Sequence, residues 1–445
     1  MNLGRSIQIV IALAVLAAGF GLLRMVIAPG PLDFAKADPG AASYSGPSPT
    51  GAPPEMAKAD LITRGRYLTE AADCESCHTA PGGKPFAGGR AFKTSFGVIY
   101  STNITPDRAT GIGRWSDADF LRALHQGVSK DGRRLYPAFP YDAYAHMADA
   151  DGVAIKAYIF SLPPVRQIAP ADALGFPFDQ RWLMAIWAGL FAREQGFHPV
   201  AGRSADWNRG AYLAEALGHC GACHTPRNLL QALDNRRKFS GGLASGWNAY
   251  NITSDRLTGL GDWRDGEIAA YLSQGHSNGR GTASGPMGEA VDLSLSRLTP
   301  TDLHALVVYL RSVPALRSHE LPARIAGPAP LSPRQVVPVV GQARGKRIFE
   351  GACASCHGWD GRGALTTYAT LTGARAVNDP SAVNVAQIVL SGSRRRTPHG
   401  EVFMPAFGAA YSNAEIAAVS NYVTGRFGSA ASHLDAEDVA ELRRQ

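Results

Sequence analysis

Five residues in one pattern recur three times in this chain of 445. They are Cys74-Glu75-Ser76-Cys77-His78, Cys220-Gly221-Ala222-Cys223-His224 and Cys353-Ala354-Ser355-Cys356-His357. Two thiols at this spacing can add to the two vinyl groups of a haem, and the histidine beside them can ligate its iron. A single Cys-x-x-Cys would also suit a redox pair or half a zinc site. Three copies, each followed by histidine, use all six cysteines and leave none for a disulfide framework. The pattern reads as three covalently bound haems c. Cys74, Cys77, Cys220, Cys223, Cys353 and Cys356 attach them, and His78, His224 and His357 ligate the irons.

Such an iron needs a ligand on its other face, and methionine thioether is the usual one in electron carriers. Of the seven methionines, Met147, Met287 and Met404 lie inside the repeats. Met287 follows Gly275 by twelve residues, and Met404 follows Gly392 by twelve, each glycine closing an expected helix. The same count from Gly127 reaches Phe139, which cannot ligate iron. For the first haem Met147 is the nearest methionine, with His125, His146 or an open position as alternatives. His219 follows no Cys-x-x-Cys and is expected at the surface. Arg394-Arg395-Arg396 is expected in a solvated loop, or as a docking or propionate contact. No Ser-His-Asp grouping, phosphate loop or dinucleotide fingerprint is evident, so the chain offers an electron path and no substrate-activating site.

These groups have to be held by short helices, because glycine (49) and proline (29) are plentiful. An Arg-Gly pair on an expected helix precedes each motif: Arg64-Gly65, Arg209-Gly210 and Arg344-Gly345. An amphipathic helix ends each repeat. In the second, Thr299 caps, Pro300 takes the first helical position and Asp302 fits a capping-box-like slot. Leu303, Leu306, Val307 and Leu310 then form one apolar face. In the third, Ser412 and Glu415 pair as a capping box and Gly425 is expected to end the helix. Tyr158, Tyr309 and Tyr422 fall at one offset in these helices, which argues that the repeats share a fold. The first two are the closer pair: Asn103-Ile104-Thr105 with Asp107 and Trp115 matches Asn251-Ile252-Thr253 with Asp255 and Trp263.

The net charge is +7, which haem propionates would largely offset, and no basic-aromatic interleaving suggests nucleic acid. Residues 1–28 read as a signal or anchor segment: Arg5 precedes an apolar run from Ile7 to Leu23, longer than the usual signal core and close to a bilayer span. Residues 29–57, rich in Pro and Gly, read as a linker. Trp182 to Ala192 is the next longest apolar run and, at eleven residues, is too short to span. Attachment of haem to this motif takes place outside the bacterial cytoplasm, so the expected location is the periplasmic side of the inner membrane.

Four stretches carry a resemblance. They are Tyr100 to Thr105, Leu135 to Tyr141, Gly218 to Asn228 and Met404-Pro405-Ala406-Phe407. From about residue 58 to 428 the chain resembles the triheme cytochrome c subunits of bacterial membrane-bound dehydrogenases, including those acting on alcohols, gluconate, sorbitol and aldehydes. The resemblance implies a mainly α fold of three tandem class I-like cytochrome c domains, at 58–170, 200–318 and 335–428. It implies a partner catalytic subunit of quinoprotein, flavoprotein or molybdenum type. Electrons would pass through the haems to ubiquinone or another membrane acceptor, or toward a terminal oxidase. Many relatives carry methionine where this chain has Phe139. Two other readings remain: a stand-alone or oxidase-linked multihaem cytochrome, and a peroxidase-like enzyme at the first haem.

Overall fold

A computed structural model describes residues 19, 27–35, 43–192, 196–318, 342–397 and 400–444. Apart from Gly19, the apolar run at 7–23 lies outside the described residues, as does His399. The first repeat carries α1 (Leu61–Ala71), α2 (Cys74–His78), strands β1 (Ala91–Thr94) and β2 (Gly97–Tyr100), α3 (Asp117–Gln126), α4 (Tyr141–Tyr144) and α5 (Asp149–Ser161). The short strand β3 (Ala173–Leu174), paired with β2, and α6 (Leu183–Phe191) follow. The second repeat carries α7 (Ala205–Tyr212), α8 (Gly221–His224), β4 (Gly242–Ala244), β5 (Trp247–Ala249) and α9 (Asp265–Gln274). It continues with β6 (His276–Ser277), β7 (Gly281–Thr282), α10 (Gly285–Leu293) and α11 (Pro300–Ser312). In the third are α12 (Gln342–Ile348), α13 (Ala354–His357), α14 (Val383–Ser391), β8 (Ser393–Thr397), β9 (Gly400–Met404) and α15 (Asn413–Phe427). A last helix, α16 (Ala436–Arg444), packs back on α14 and α15. The fold is mainly α, and every pairing among the named strands is antiparallel, local except for β2 with β3.

One helix crossing is built three times, and the Arg-Gly glycines explain it. A Cβ on Gly65 would lie 1.9 Å from the carbonyl oxygen of Ala154, on Gly210 2.0 Å from that of Ala305, and on Gly345 2.1 Å from that of Ala418. The Cβ atoms of Tyr158, Tyr309 and Tyr422 close over the same three glycines. Only glycine lets α1, α7 and α12 lie this close against α5, α11 and α15. The tyrosine offset noted in the sequence is therefore a packing rule, with each tyrosine one turn beyond the contacted carbonyl.

The caps follow the sequence with two differences. Thr299 accepts from the Asp302 amide, and Ser412 and Glu415 form the reciprocal box. The Asp302 carboxylate, however, is fully buried and does not turn back to its own cap. It takes both guanidinium arms of Arg209, at 2.8 and 2.7 Å. The other difference is that α15 continues through Gly425 to Phe427, because its last turns bury Val423, Thr424 and Phe427. Two five-residue π-helical stretches, Leu213–Leu217 and Phe349–Cys353, lead into the second and third motifs. Such turns recur at functional sites.

The first two repeats are joined reciprocally. The Tyr67 hydroxyl donates to Asp302 at 2.5 Å, and the Tyr212 hydroxyl donates to Asp151 at 2.5 Å. Each tyrosine stands two residues after its helix-crossing glycine, and each aspartate is the third residue of the other repeat's closing helix. The stretch read as a linker also packs in its described parts. Ala35 is fully buried, Phe34 lies 6.2 Å from the Tyr309 ring, and Arg209 donates to the Pro49 and Gly51 carbonyls.

Candidate haem-binding sites

The first motif opens onto a cavity of about 810 Å³, within the range of small-molecule and cofactor sites. Cys74, Cys77 and His78 line one part of it. Met147 and Phe139 line another, with Leu124, Ile155 and Ile159 among the apolar walls. The group that the motif implies fits here on three counts. The cavity is large and apolar, both thiols reach it, and a nitrogen and a sulfur donor share it. Met147 is almost fully buried, only 1% exposed. His125 and His146 do not line this cavity. His125 Nδ1 lies 3.7 Å from Asp149, and His146 Nδ1 lies 3.2 Å from the Gly196 carbonyl.

All three motif histidines are oriented in one way. Nδ1–H donates to a backbone carbonyl: His78 to Thr102 at 2.7 Å, His224 to Tyr250 at 2.6 Å and His357 to Ala369 at 2.6 Å. A carbonyl can only accept, so this bond fixes the tautomer and leaves the Nε2 lone pair for a metal. Burial lowers the pKa of all three imidazoles, which favours the neutral, ligating form.

The Asn-Ile-Thr repeat is what holds two of those carbonyls. Asn103 directly follows Thr102, and Asn251 directly follows Tyr250. Asn251 Oδ1 accepts from the Thr253 amide and hydroxyl, and its amide donates to Thr258 Oγ1 and the Leu316 carbonyl. Asn103 makes the same set with Thr105, Thr110 and Val165. Asn251→Ala would leave these buried partners unpaired, an expected cost of about 2 kcal/mol by denaturant unfolding. A change within about 0.5 kcal/mol would show that the loop holds Tyr250 without the asparagine.

The cysteines behave as buried thiols. Burial pushes Cys77 and Cys220 up to about 12, Cys353 up to about 11, and also raises Cys74 and Cys223. Reactive redox pairs show the opposite shift. Among the described residues no group of three His, Cys, Asp or Glu side chains is placed to hold a metal ion, which leaves a zinc reading without its further ligands. Asp73, just ahead of the first motif, was not foreseen. It lines the cavity in a left-handed conformation, burial pushes its carboxyl up to about 7, and its Oδ1 has no partner.

His219, expected at the surface, is instead half-buried with its ring edge-on to Tyr144, 5.6 Å between centroids. Tyr144 lines the first cavity and donates to the Ala72 carbonyl at 2.8 Å, so the first two motifs lie close together. Met287 sits in the first turn of α10, whereas Met404 ends strand β9, paired with Ser393. The twelve-residue count thus spans different local structures, although Gly275 and Gly392 do close α9 and α14 as expected. Arg395 is no loop residue. It lies in β8, is buried, and donates to Asp292 of α10 at 2.7 Å. His276 stacks on Tyr368 at 4.2 Å, next to the Ala369 carbonyl that orients His357.

Three thiol pairs, each with an adjacent carbonyl-held histidine, in a mainly helical fold define a c-type cytochrome. The cytochrome c family model matches residues 342–426. The chain is 37% identical to the fructose dehydrogenase cytochrome subunit of Gluconobacter japonicus, over 89% of this chain and 85% of that one. It is also 37% identical to the gluconate 2-dehydrogenase cytochrome c subunit of Pantoea cypripedii, over 88% of this chain and 91% of that one. A nicotinate dehydrogenase subunit of Pseudomonas putida is 43% identical over 83% of this chain, which spans only 30% of that longer protein. The chain belongs to the family of cytochrome c subunits of dehydrogenases.

Proposed function

We propose that the chain is the electron-transfer subunit of a periplasmic dehydrogenase, carrying three covalent haems c in three tandem class I-like domains. His78 pairs with Met147, His224 with Met287 and His357 with Met404. The observation that carries this is the carbonyl-held histidine, built in the same way at all three motifs. Bound haem supplies reversible one-electron iron chemistry. The chain's own residues hold and orient it, exclude water and set the spacing between sites. The location is the periplasmic face of the inner membrane, with residues 1–28 as signal or anchor. The partner is a catalytic subunit of quinoprotein, flavoprotein or molybdenum type, and the acceptor is ubiquinone or another membrane carrier. The relatives' names support the partner; the apolar run at 7–23 supports the membrane.

Purification of the chain from its own membranes tests this reading. The expected result is an intact mass raised by three haems and a larger catalytic subunit in the same fraction. A solitary triheme chain would favour a stand-alone carrier. Peroxide turnover by the purified chain would favour an enzyme at the first haem, whose cavity Phe139 lines. Fewer than three haems would end the proposal.

A further inference from the structure

Among the described residues, several of the exposed large apolar side chains belong to α6 and the stretches beside it. Phe176 is 82% exposed, Trp182 62%, Ile186 56% and Leu229 85%, with Phe178 and Leu230 also in water. Six such residues, drawn from two segments, converge around α6. No charged residue occurs between Trp182 and Ala192. The inner side of α6 is accounted for, since Trp187 and Ala188 are buried against Tyr141 and Ala232. Trp187 also donates through Nε1 to the Leu230 carbonyl at 2.8 Å, which brings the 229–230 loop beside the helix. The outer side, with Trp182, Ala185, Ile186 and Gly189 at helical spacing, faces solvent. Scattered exposed apolar residues need no explanation, but a concentrated patch marks an interaction surface.

Where the chain comes from indicates what covers the patch. Residues 27–29 come shortly after the N-terminal apolar run, which ends at Leu23. They are held on the same loop as Leu229 and Leu230: Asn235 Nδ2 donates to the Pro29 carbonyl at 2.9 Å, and Arg236 donates to the Ile27 carbonyl at 3.5 Å. Arg236 is six positions beyond Leu230, a reach of at most about 20 Å. A chain emerging from a bilayer at residue 27 therefore starts next to the patch. Among the described residues no helix is long and apolar enough to cross a membrane. A nine-residue apolar helix edged by tryptophan has instead the character of an interfacial element.

We propose that the outer face of α6, with Phe176, Phe178, Leu229 and Leu230, lies on the phospholipid surface beside the point where residue 27 leaves it. This rests on residues 7–23 being a membrane anchor. The segment bearing the patch also walls the first cavity, through Leu174, Asp179 and Arg181. Docking sets the mouth of that cavity at the lipid boundary, where a lipid-borne electron acceptor arrives.

Because thioether bonds occupy the native cysteines in this reading, single labels can be introduced. The full-length haem-loaded chain, as Ile186→Cys, Leu229→Cys or the control Leu365→Cys, carries a nitroxide and is reconstituted into phosphatidylcholine–phosphatidylglycerol vesicles. Relaxation by dissolved oxygen and by a water-soluble nickel chelate is then compared. The labels at 186 and 229 are expected to lose nickel access severalfold relative to the same protein in detergent-free buffer with vesicles omitted, and the label at 365 to keep it. A chain that floats with the vesicles while both labels stay open to nickel overturns the proposal and leaves the anchor reading standing. A chain that does not float overturns both. Shielding that arises only on adding the catalytic subunit would assign the patch to that subunit and also overturn the proposal.

Discussion

Replacing Gly210 with alanine is expected to cost the second repeat about 3 kcal/mol or more, read as the shift of its unfolding midpoint in denaturant. The added Cβ would sit 2.0 Å from the Ala305 carbonyl oxygen and 2.8 Å from Tyr309 Cβ. Neither is the free end of a flexible side chain, so α7 and α11 must separate. Separation also strains the Arg209–Asp302 pair and the Tyr67 bond that rests on it. A helix ordinarily gains from glycine to alanine by up to about 1 kcal/mol, so loss of stability here is a direct measure of the clash. Gly266 in α9 is the matched control: a Cβ there meets nothing within 4 Å. Gly266→Ala is expected to be neutral or stabilising. Equal midpoints for the two variants would disprove the close crossing.

The second large effect is expected from Met147→Leu. If Met147 ligates the first iron, the variant loses that site's methionine–iron charge-transfer contribution. The potential of one haem falls as well, because thioether ligation raises it. Leucine nearly conserves volume, so stability should change by less than about 1.5 kcal/mol. The opposite pattern, unaltered spectra with only a stability change, would make Met147 core filler. It would return the first site to an open sixth position.

The three Cys-x-x-Cys-His motifs stand out in the sequence because covalent haem attachment would fix residue type and spacing together. No other arrangement of six cysteines and three histidines in this chain serves as well. Helix starts were legible at Thr299 and Ser412 because caps are local. The destination of Asp302 was not, because its partners Arg209 and Tyr67 come from 93 and 235 residues away. The carbonyls of Thr102, Tyr250 and Ala369 left no trace in the sequence, since any residue supplies a carbonyl. The asparagine clips that place two of them did leave one, as the repeated Asn-Ile-Thr, though its spacing showed kinship and not purpose. Arg395 was misread for a related reason: a run of arginines looks solvated unless an Asp292 on another repeat is known to face it. His219 was misread because its neighbour, Tyr144, lies in a different repeat.

The paired Tyr67–Asp302 and Tyr212–Asp151 bonds have a thermodynamic meaning apart from their strength. They are the contacts that two copies of one unit would make across a twofold axis. Between separate molecules such an association would weaken on dilution. Here both partners belong to one polypeptide, so the encounter is unimolecular and its effective concentration is set by the tether between residues 161 and 205. The first two repeats, and the motifs they carry, therefore stay in one-to-one register at any abundance of the protein. The third repeat, which carries Arg347 where the others carry tyrosine, is joined by a different set of bonds and is free to have been shaped to a different neighbour.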